Sequence, residues 1–141
     1  MADARSVVLD SSAVIALFLD QPGAGTVGAL LRSDNVRMSS VNAAEVVDVL
    51  IRVYGADPDD VVARVDELLS LTVRSIETSR ELSIQAGELR AGLSRRRTKR
   101  LSMADCYVLA TAGPGDRIAT TDATLAAVAS DEGIEVVALD S

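Results

Sequence analysis

Short runs of β-branched and apolar residues alternate along the chain with longer segments in which apolar residues recur every three or four positions. Runs of the first kind predict buried strands, and segments of the second kind predict amphipathic helices. The strands are expected at residues 5–10, 35–40, 71–77, 117–121 and 134–139. The helices are expected at residues 12–19, 26–32, 42–54, 57–71, 79–97, 102–112 and 123–130, the third of them capped by Asn42.

This alternation of strands and helices predicts an α/β fold, in which a mostly parallel sheet is flanked by helices and the crossovers are right-handed. No internal repeat or Pro/Gly-rich linker divides the sequence, so residues 1–141 are expected to form one domain. The longest uninterrupted apolar run, residues 13–19, is far too short to cross a bilayer. We therefore expect a cytoplasmic protein with no membrane partner.

The composition limits the available chemistry. The chain has no histidine, which excludes imidazole as an acid, a base or a metal ligand, and with it serine–histidine and cysteine–histidine catalysis. Its one cysteine, Cys106, cannot form an internal disulfide. The net charge of −7 argues against nucleic acid as a partner, but five of the fourteen basic residues are clustered. These five are Arg95, Arg96, Arg97, Lys99 and Arg100.

Four acidic residues occupy similar places in the predicted elements. Asp10 and Asp122 stand where a strand ends and a helix begins, while Glu45 and Asp105 lie in the first turns of predicted helices. The carboxyl ends of parallel strands gather along one edge of a sheet, where ligands bind. The four carboxylates are therefore expected to point into one cleft.

Helix capping is the alternative explanation for each acid taken singly. Asp10 and Asp122 are suitable N-cap residues, and Asn42-x-x-Glu45 and Ser102-x-x-Asp105 resemble capping boxes. Capping does not explain why four such acids occur together. Clustered carboxylates repel one another, and a divalent cation would neutralise them. Oxygen-only ligands suit Mg²⁺ or Mn²⁺, and such a site predicts hydrolysis of phosphodiesters by a metal-activated water.

At these acids the sequence resembles the PIN-domain ribonucleases, specifically the VapC-type toxins of bacterial toxin–antitoxin systems. The resemblance is carried by "VLDSSAVIALF", "SSVNAAEVVDVL", "LSMADCYVLATA" and "IATTDATLAAVA", which occur in the family's order. It implies a PIN-like three-layer sandwich and an acidic metal-binding quartet of Asp10, Glu45, Asp105 and Asp122. It also implies supporting hydroxyls at Ser12 and Thr121, although the pairs Ser11/Ser12 and Thr120/Thr121 leave that choice open.

The resemblance further implies a Mg²⁺- or Mn²⁺-dependent endoribonuclease that dimerises. It implies silencing by a VapB-type antitoxin, in a heterotetramer or a larger complex. Asp48 shares the helical face of Glu45 and is either a supporting residue or a surface acid. The basic cluster either binds RNA phosphates or is a solvated helix end.

Three other functions compete with the nuclease. A receiver-like signalling domain would also place acids and Mg²⁺ at strand ends, but here serines follow Asp10, and Lys99 does not follow a strand. A PIN-like module could instead serve only to bind proteins. A nuclease that acts on DNA flaps or on structured rRNA and tRNA would keep the chemistry, although the short chain lacks the large insertions expected of a flap nuclease.

Overall fold

Five parallel strands form the centre of the protein in a computed structural model that describes residues 6–95 and 101–139. The strands are β1 (Ser6–Leu9), β2 (Asn35–Ser39), β3 (Arg74–Ile76), β4 (Arg117–Ala119) and β5 (Glu135–Val137). Their order across the sheet is β3-β2-β1-β4-β5, and every neighbouring pair is parallel. The predicted parallel α/β fold is therefore confirmed, and all five predicted strands are present.

Seven helices connect these strands within the described residues. They are α1 (Ser11–Phe18), α2 (Ala24–Ser33), α3 (Ser40–Arg52), α4 (Pro58–Leu71), α5 (Arg80–Arg95), α6 (Met103–Thr111) and α7 (Ala123–Asp131). The prediction that Asn42 caps α3 is wrong. Ser39 is the cap, and its hydroxyl accepts the amide of Val41, because β2 runs directly into the helix without a loop. No helix in the described ranges is long and apolar enough to span a membrane.

Helices cover both faces of the sheet, which gives the predicted three layers. Successive β1 residues point to opposite faces, so Val7 and Leu9 join a core with α1 to α4, whereas Val8 joins a core with α5 to α7. All three side chains are fully buried. A strand that is buried on both faces must be apolar throughout, which explains why "VVL" shows no polar alternation.

The chain changes direction across the sheet at β1. It runs from β1 to β2 and β3 on one side, and then returns to place β4 and β5 on the other side. A crevice forms at the carboxyl ends of the strands where a parallel sheet changes direction in this way. Asp10 is the first residue after β1 and therefore lies at this crevice.

Arginines neutralise the acids near the opposite, amino edge of the sheet. Arg37 pairs with Asp116, which directly precedes β4, and Arg117 pairs with Asp34, which directly precedes β2. Burial raises the pKa of Asp116, but amide hydrogen bonds from Gly113 and Ser6, together with Arg37, outweigh it and hold this pKa below its ordinary value. These pairs tie β1, β2 and β4 together at one end of the sheet.

Candidate active site

Asp10 is a buried carboxylate that does not cap its helix. Its side chain is 3% exposed and makes no capping bond to α1, although Asp10 occupies the N-cap position. Instead, Oδ2 accepts hydrogen bonds from the hydroxyls of Ser12 at 2.7 Å and Thr120 at 2.8 Å. A buried carboxylate is costly unless it is hydrogen-bonded. These hydroxyls therefore hold Asp10 in one orientation.

Ser11 connects Asp10 to Glu45. Its hydroxyl donates to Oε1 of Glu45 at 2.5 Å and lies 3.5 Å from Oδ1 of Asp10. One hydroxyl carries one proton, and the shorter contact indicates that Glu45 receives it. Ser11 thus donates to Glu45, and Ser12 donates to Asp10. The sequence left open which of the two serines contacts the acids, and in the structure both do.

Thr120 connects Asp10 to Asp122. While its hydroxyl donates to Asp10, the same oxygen accepts the amide of Asp122 at 3.0 Å. The side chain of Thr121 is exposed, and its backbone amide donates to Ser12, so a supporting role for its hydroxyl stays a prediction. Asp122 caps α7, because its Oδ1 accepts the amides of Thr124 and Leu125.

Asp105 completes a capping box with Ser102. The Ser102 hydroxyl accepts the Asp105 amide at 3.1 Å, and Oδ2 of Asp105 accepts the Ser102 amide at 3.0 Å. Burial, and then the negative charges of Asp10 and Asp122, raise the pKa of Asp105 despite these bonds. The negative charges of Asp10 and Asp122 thus favour the protonated form of Asp105.

The four acids are neighbours, but they do not form a finished metal site. Within residues 6–95 and 101–139, no three His, Cys, Asp or Glu side chains are arranged to hold a metal ion. The carboxylates of Asp105 and Asp122 instead face the amides that they cap. The capping interpretation is therefore correct for these two acids.

Capping leaves part of each carboxylate free to bind something else. In the described residues, hydrogen bonds occupy Oε1 of Glu45, Oδ2 of Asp105 and Oδ1 of Asp122, and leave the second oxygen of each without one. Oδ1 of Asp10 has only the 3.5 Å contact with Ser11. None of the described arginines pairs with these acids, in contrast to the amino edge of the sheet. Uncompensated oxygen ligands of this kind fit Mg²⁺, which takes few carboxylates and keeps several waters.

Two further predictions concern residues outside this cluster. Asp48 forms an exposed ion pair with Arg52, at 2.8 Å and one turn along α3, so the structure places it on the surface. The predicted RNA-binding residues Arg96, Arg97, Lys99 and Arg100 lie outside the described residues. Only the backbone of Arg95, the last residue of α5, is described.

Comparison with known proteins identifies the family. The family model of the PIN domain matches residues 7–117, which is most of the chain and includes three of the four acids. The chain belongs to the PIN-domain family. Asp122 lies just beyond the matched range, although Thr120 connects it to Asp10. No curated protein matches this PIN domain by sequence.

Solved structures show that the PIN fold extends over nearly the whole chain. VapBC-1 from nontypeable Haemophilus influenzae is 16% identical with a TM-score of 0.70, over 96% of this chain and 99% of that one. DNA-bound VapBC from Salmonella typhimurium is 18% identical with a TM-score of 0.70, over 94% and 97%. Mycobacterium tuberculosis VapC20, described as a sarcin–ricin loop cleaving toxin, is 23% identical with a TM-score of 0.69, over 86% and 94%.

Proposed function

We propose that this PIN domain is a Mg²⁺- or Mn²⁺-dependent endoribonuclease that acts as the toxin of a toxin–antitoxin pair in the cytoplasm. The observation that carries this proposal is the buried, hydroxyl-held Asp10 at the carboxyl edge of the sheet, which Ser11 connects to Glu45 and Thr120 connects to Asp122. VapC20, a structural neighbour, is described as a sarcin–ricin loop cleaving toxin, which supports a nuclease activity here.

In this proposal Asp10, Glu45, Asp105 and Asp122 hold the metal ions through the oxygens that hydrogen bonds leave free. A divalent ion bound there would activate a water for attack and stabilise the charge that develops on the phosphate. Ser11, Ser12 and Thr120 keep two of the carboxylates oriented, because their hydroxyls donate hydrogen bonds to Glu45 and Asp10. The chain has no histidine to act as an alternative base.

Cleavage of RNA by the purified protein tests this function. Protein freed of any antitoxin is incubated with bacterial total RNA in Mn²⁺, in Mg²⁺ and in EDTA. We expect cleavage that requires the metal and leaves 5′-phosphate ends, and we expect Asp10→Asn to abolish it. Asp48→Asn is the matched control, since it removes one carboxylate from an exposed pair on the same protein.

The alternatives give different results in this assay. Cleavage that survives chelation, or that leaves cyclic phosphates, contradicts the metal mechanism. A folded protein that cleaves neither RNA nor DNA is a PIN-like interaction module. The family assignment already removes the receiver-like domain from consideration.

We also propose that the protein forms a homodimer and binds a VapB-type antitoxin, in a heterotetramer or a larger complex. The VapBC complexes among its structural neighbours support this assembly. Co-expression with the product of an adjacent small gene, followed by size-exclusion chromatography with light scattering, gives the stoichiometry. We expect that partner to suppress RNA cleavage, and a chain that remains monomeric at all concentrations contradicts the proposed dimer.

A further inference from the structure

Asn42 is a fully buried polar side chain close to the acids. It lies on α3 one turn before Glu45. Its Nδ2 donates to the backbone carbonyl of Ala104 at 3.1 Å, while its Oδ1 is buried without a hydrogen-bond partner in the described structure. The amide nitrogen of Asn42 thus has a hydrogen-bond partner, and its amide oxygen has none among the described residues.

This arrangement is unfavourable for stability alone. Asparagine is a poor residue for the interior of a helix, and an unpaired buried amide oxygen loses its hydration without compensation. The Ala104 carbonyl lies in the first turn of α6, where it can also accept the helix amide four residues further on. An apolar side chain of similar size would therefore serve the core at least as well.

The hydrogen bond from Asn42 to Ala104 lies between two helices that each carry an acid. Ala104 directly precedes Asp105, and Asn42 lies three residues before Glu45 on the same side of α3. The bond joins α3 directly to α6. It therefore fixes the helix that carries one acid against the helix that carries another.

Neutral groups join the other acids in the same manner. Ser11 connects Asp10 with Glu45, and Thr120 connects Asp10 with Asp122. Each connection sets the spacing of two like charges without neutralising either of them. The connection through Asn42 differs because it acts on the backbone of α6.

We propose that Asn42 is a positioning residue that sets the distance between Glu45 and Asp105 and thereby determines the affinity of the acidic site for divalent metal. This inference rests on the proposed function. Groups that orient metal ligands in this indirect way typically change metal affinity about 10–100-fold when they are removed.

Asn42→Leu is the test, because leucine has the same branched arrangement of side-chain heavy atoms and removes both the hydrogen bond and the unpaired oxygen. We expect the Kd for Mn²⁺, measured by electron paramagnetic resonance of the free ion, to rise roughly tenfold or more. The melting temperature in EDTA should stay at the wild-type value or increase. Val65→Ala is the control, since it truncates a buried α4 side chain in a core that contains no acid. It should lower the melting temperature and leave the Kd unchanged.

A double-mutant cycle shows whether Asn42 acts through Asp105. If it does, Asn42→Leu has little further effect on the Mn²⁺ Kd in an Asp105→Asn background. Equal effects in both backgrounds overturn the proposal, and so does an unchanged Kd in folded Asn42→Leu. If Asn42→Leu does not fold, Asn42→Ser provides the same measurements, because serine is too short to reach Ala104.

The outcomes separate this inference from the proposed function. If wild type and Asp10→Asn both fail to bind Mn²⁺, the proposed function is wrong and the role of Asn42 is wrong with it. If wild type binds, Asp10→Asn does not, and Asn42→Leu binds as well as wild type, only the inference about Asn42 is wrong.

Discussion

The two threonines that follow β4 allow a test of the site, because the hydroxyl of Thr120 contacts Asp10 and the hydroxyl of Thr121 does not. Thr120 is 5% exposed, and its hydroxyl donates to Asp10 and accepts from the Asp122 amide. The adjacent Thr121 is exposed, and its hydroxyl bonds to no described residue. Threonine and valine have nearly the same shape, so Thr120→Val and Thr121→Val each remove a hydroxyl and little else.

The expected cost follows from the bonds that each variant loses. A hydrogen bond to a charged group contributes about 1.5–3 kcal/mol and a neutral one about 0.5–1.5 kcal/mol. Thr120→Val loses one of each kind, so its free energy of unfolding should fall by roughly 2–4 kcal/mol. At about 3 °C per kcal/mol for a chain of this length, the melting temperature should fall by roughly 6–12 °C. Thr121→Val should stay within about 0.5 kcal/mol of wild type.

Urea unfolding followed by circular dichroism measures both variants, and the RNA cleavage assay is run in parallel. We expect Thr120→Val to lose cleavage activity as well as stability, since only the Ser12 hydroxyl then orients Oδ2 of Asp10. The reasoning is refuted if Thr121→Val loses as much stability as Thr120→Val. It is also refuted if Thr120→Val cleaves RNA at the wild-type rate.

Other expectations concern the remainder of the fold. Gly23 has a φ of 98°, and a Cβ there would collide with the carbonyl oxygen of Leu139, so Gly23→Ala should cost about 2–4 kcal/mol in urea unfolding. Gly25→Ala should not lower the free energy of unfolding, because no atom lies within 4 Å of a Cβ at that position. The depressed pKa of Asp116 stabilises the folded protein above its ordinary value of 3.8, and this stabilisation disappears as the pH falls through the lower folded value. The stability difference between wild type and Asp116→Asn should therefore shrink as the pH falls below about 5 in unfolding titrations. Neutralising the basic residues within 95–100 should flatten the salt dependence of RNA binding by about 0.7 for each phosphate that is no longer neutralised, whereas an unchanged slope would identify them as a solvated helix end.

The architecture could be predicted from the sequence because its signals are local and repeated. "VVL" shows a doubly buried strand, and Asp57 followed by Pro58 marks the start of α4 where the structure has it. The strand order is not encoded in any local pattern, but the alternation of strands and helices leaves few arrangements of a parallel sheet.

The details of the site could be predicted only in part, because they depend on contacts between distant segments. The sequence identifies acids at strand ends, but Thr120 and Thr121 look alike until the end of β4 places one hydroxyl against Asp10. Asn42 resembles a cap because "NAAE" fits a capping box, whereas Ser39, at the end of β2, takes that position. An asparagine among apolar residues in a helix interior is itself a signal of a tertiary contact.

The order of the strands also determines when this protein could become active during its own synthesis. β4 inserts beside β1, which was made more than a hundred residues earlier, and it delivers Thr120 and Asp122 to the crevice. A chain that is still growing therefore has Asp10 and Glu45 but lacks the strand that completes their surroundings. Under the proposed function, a partly synthesised chain would be inactive, because only a polypeptide that already includes β4 can bring Asp122 to Asp10.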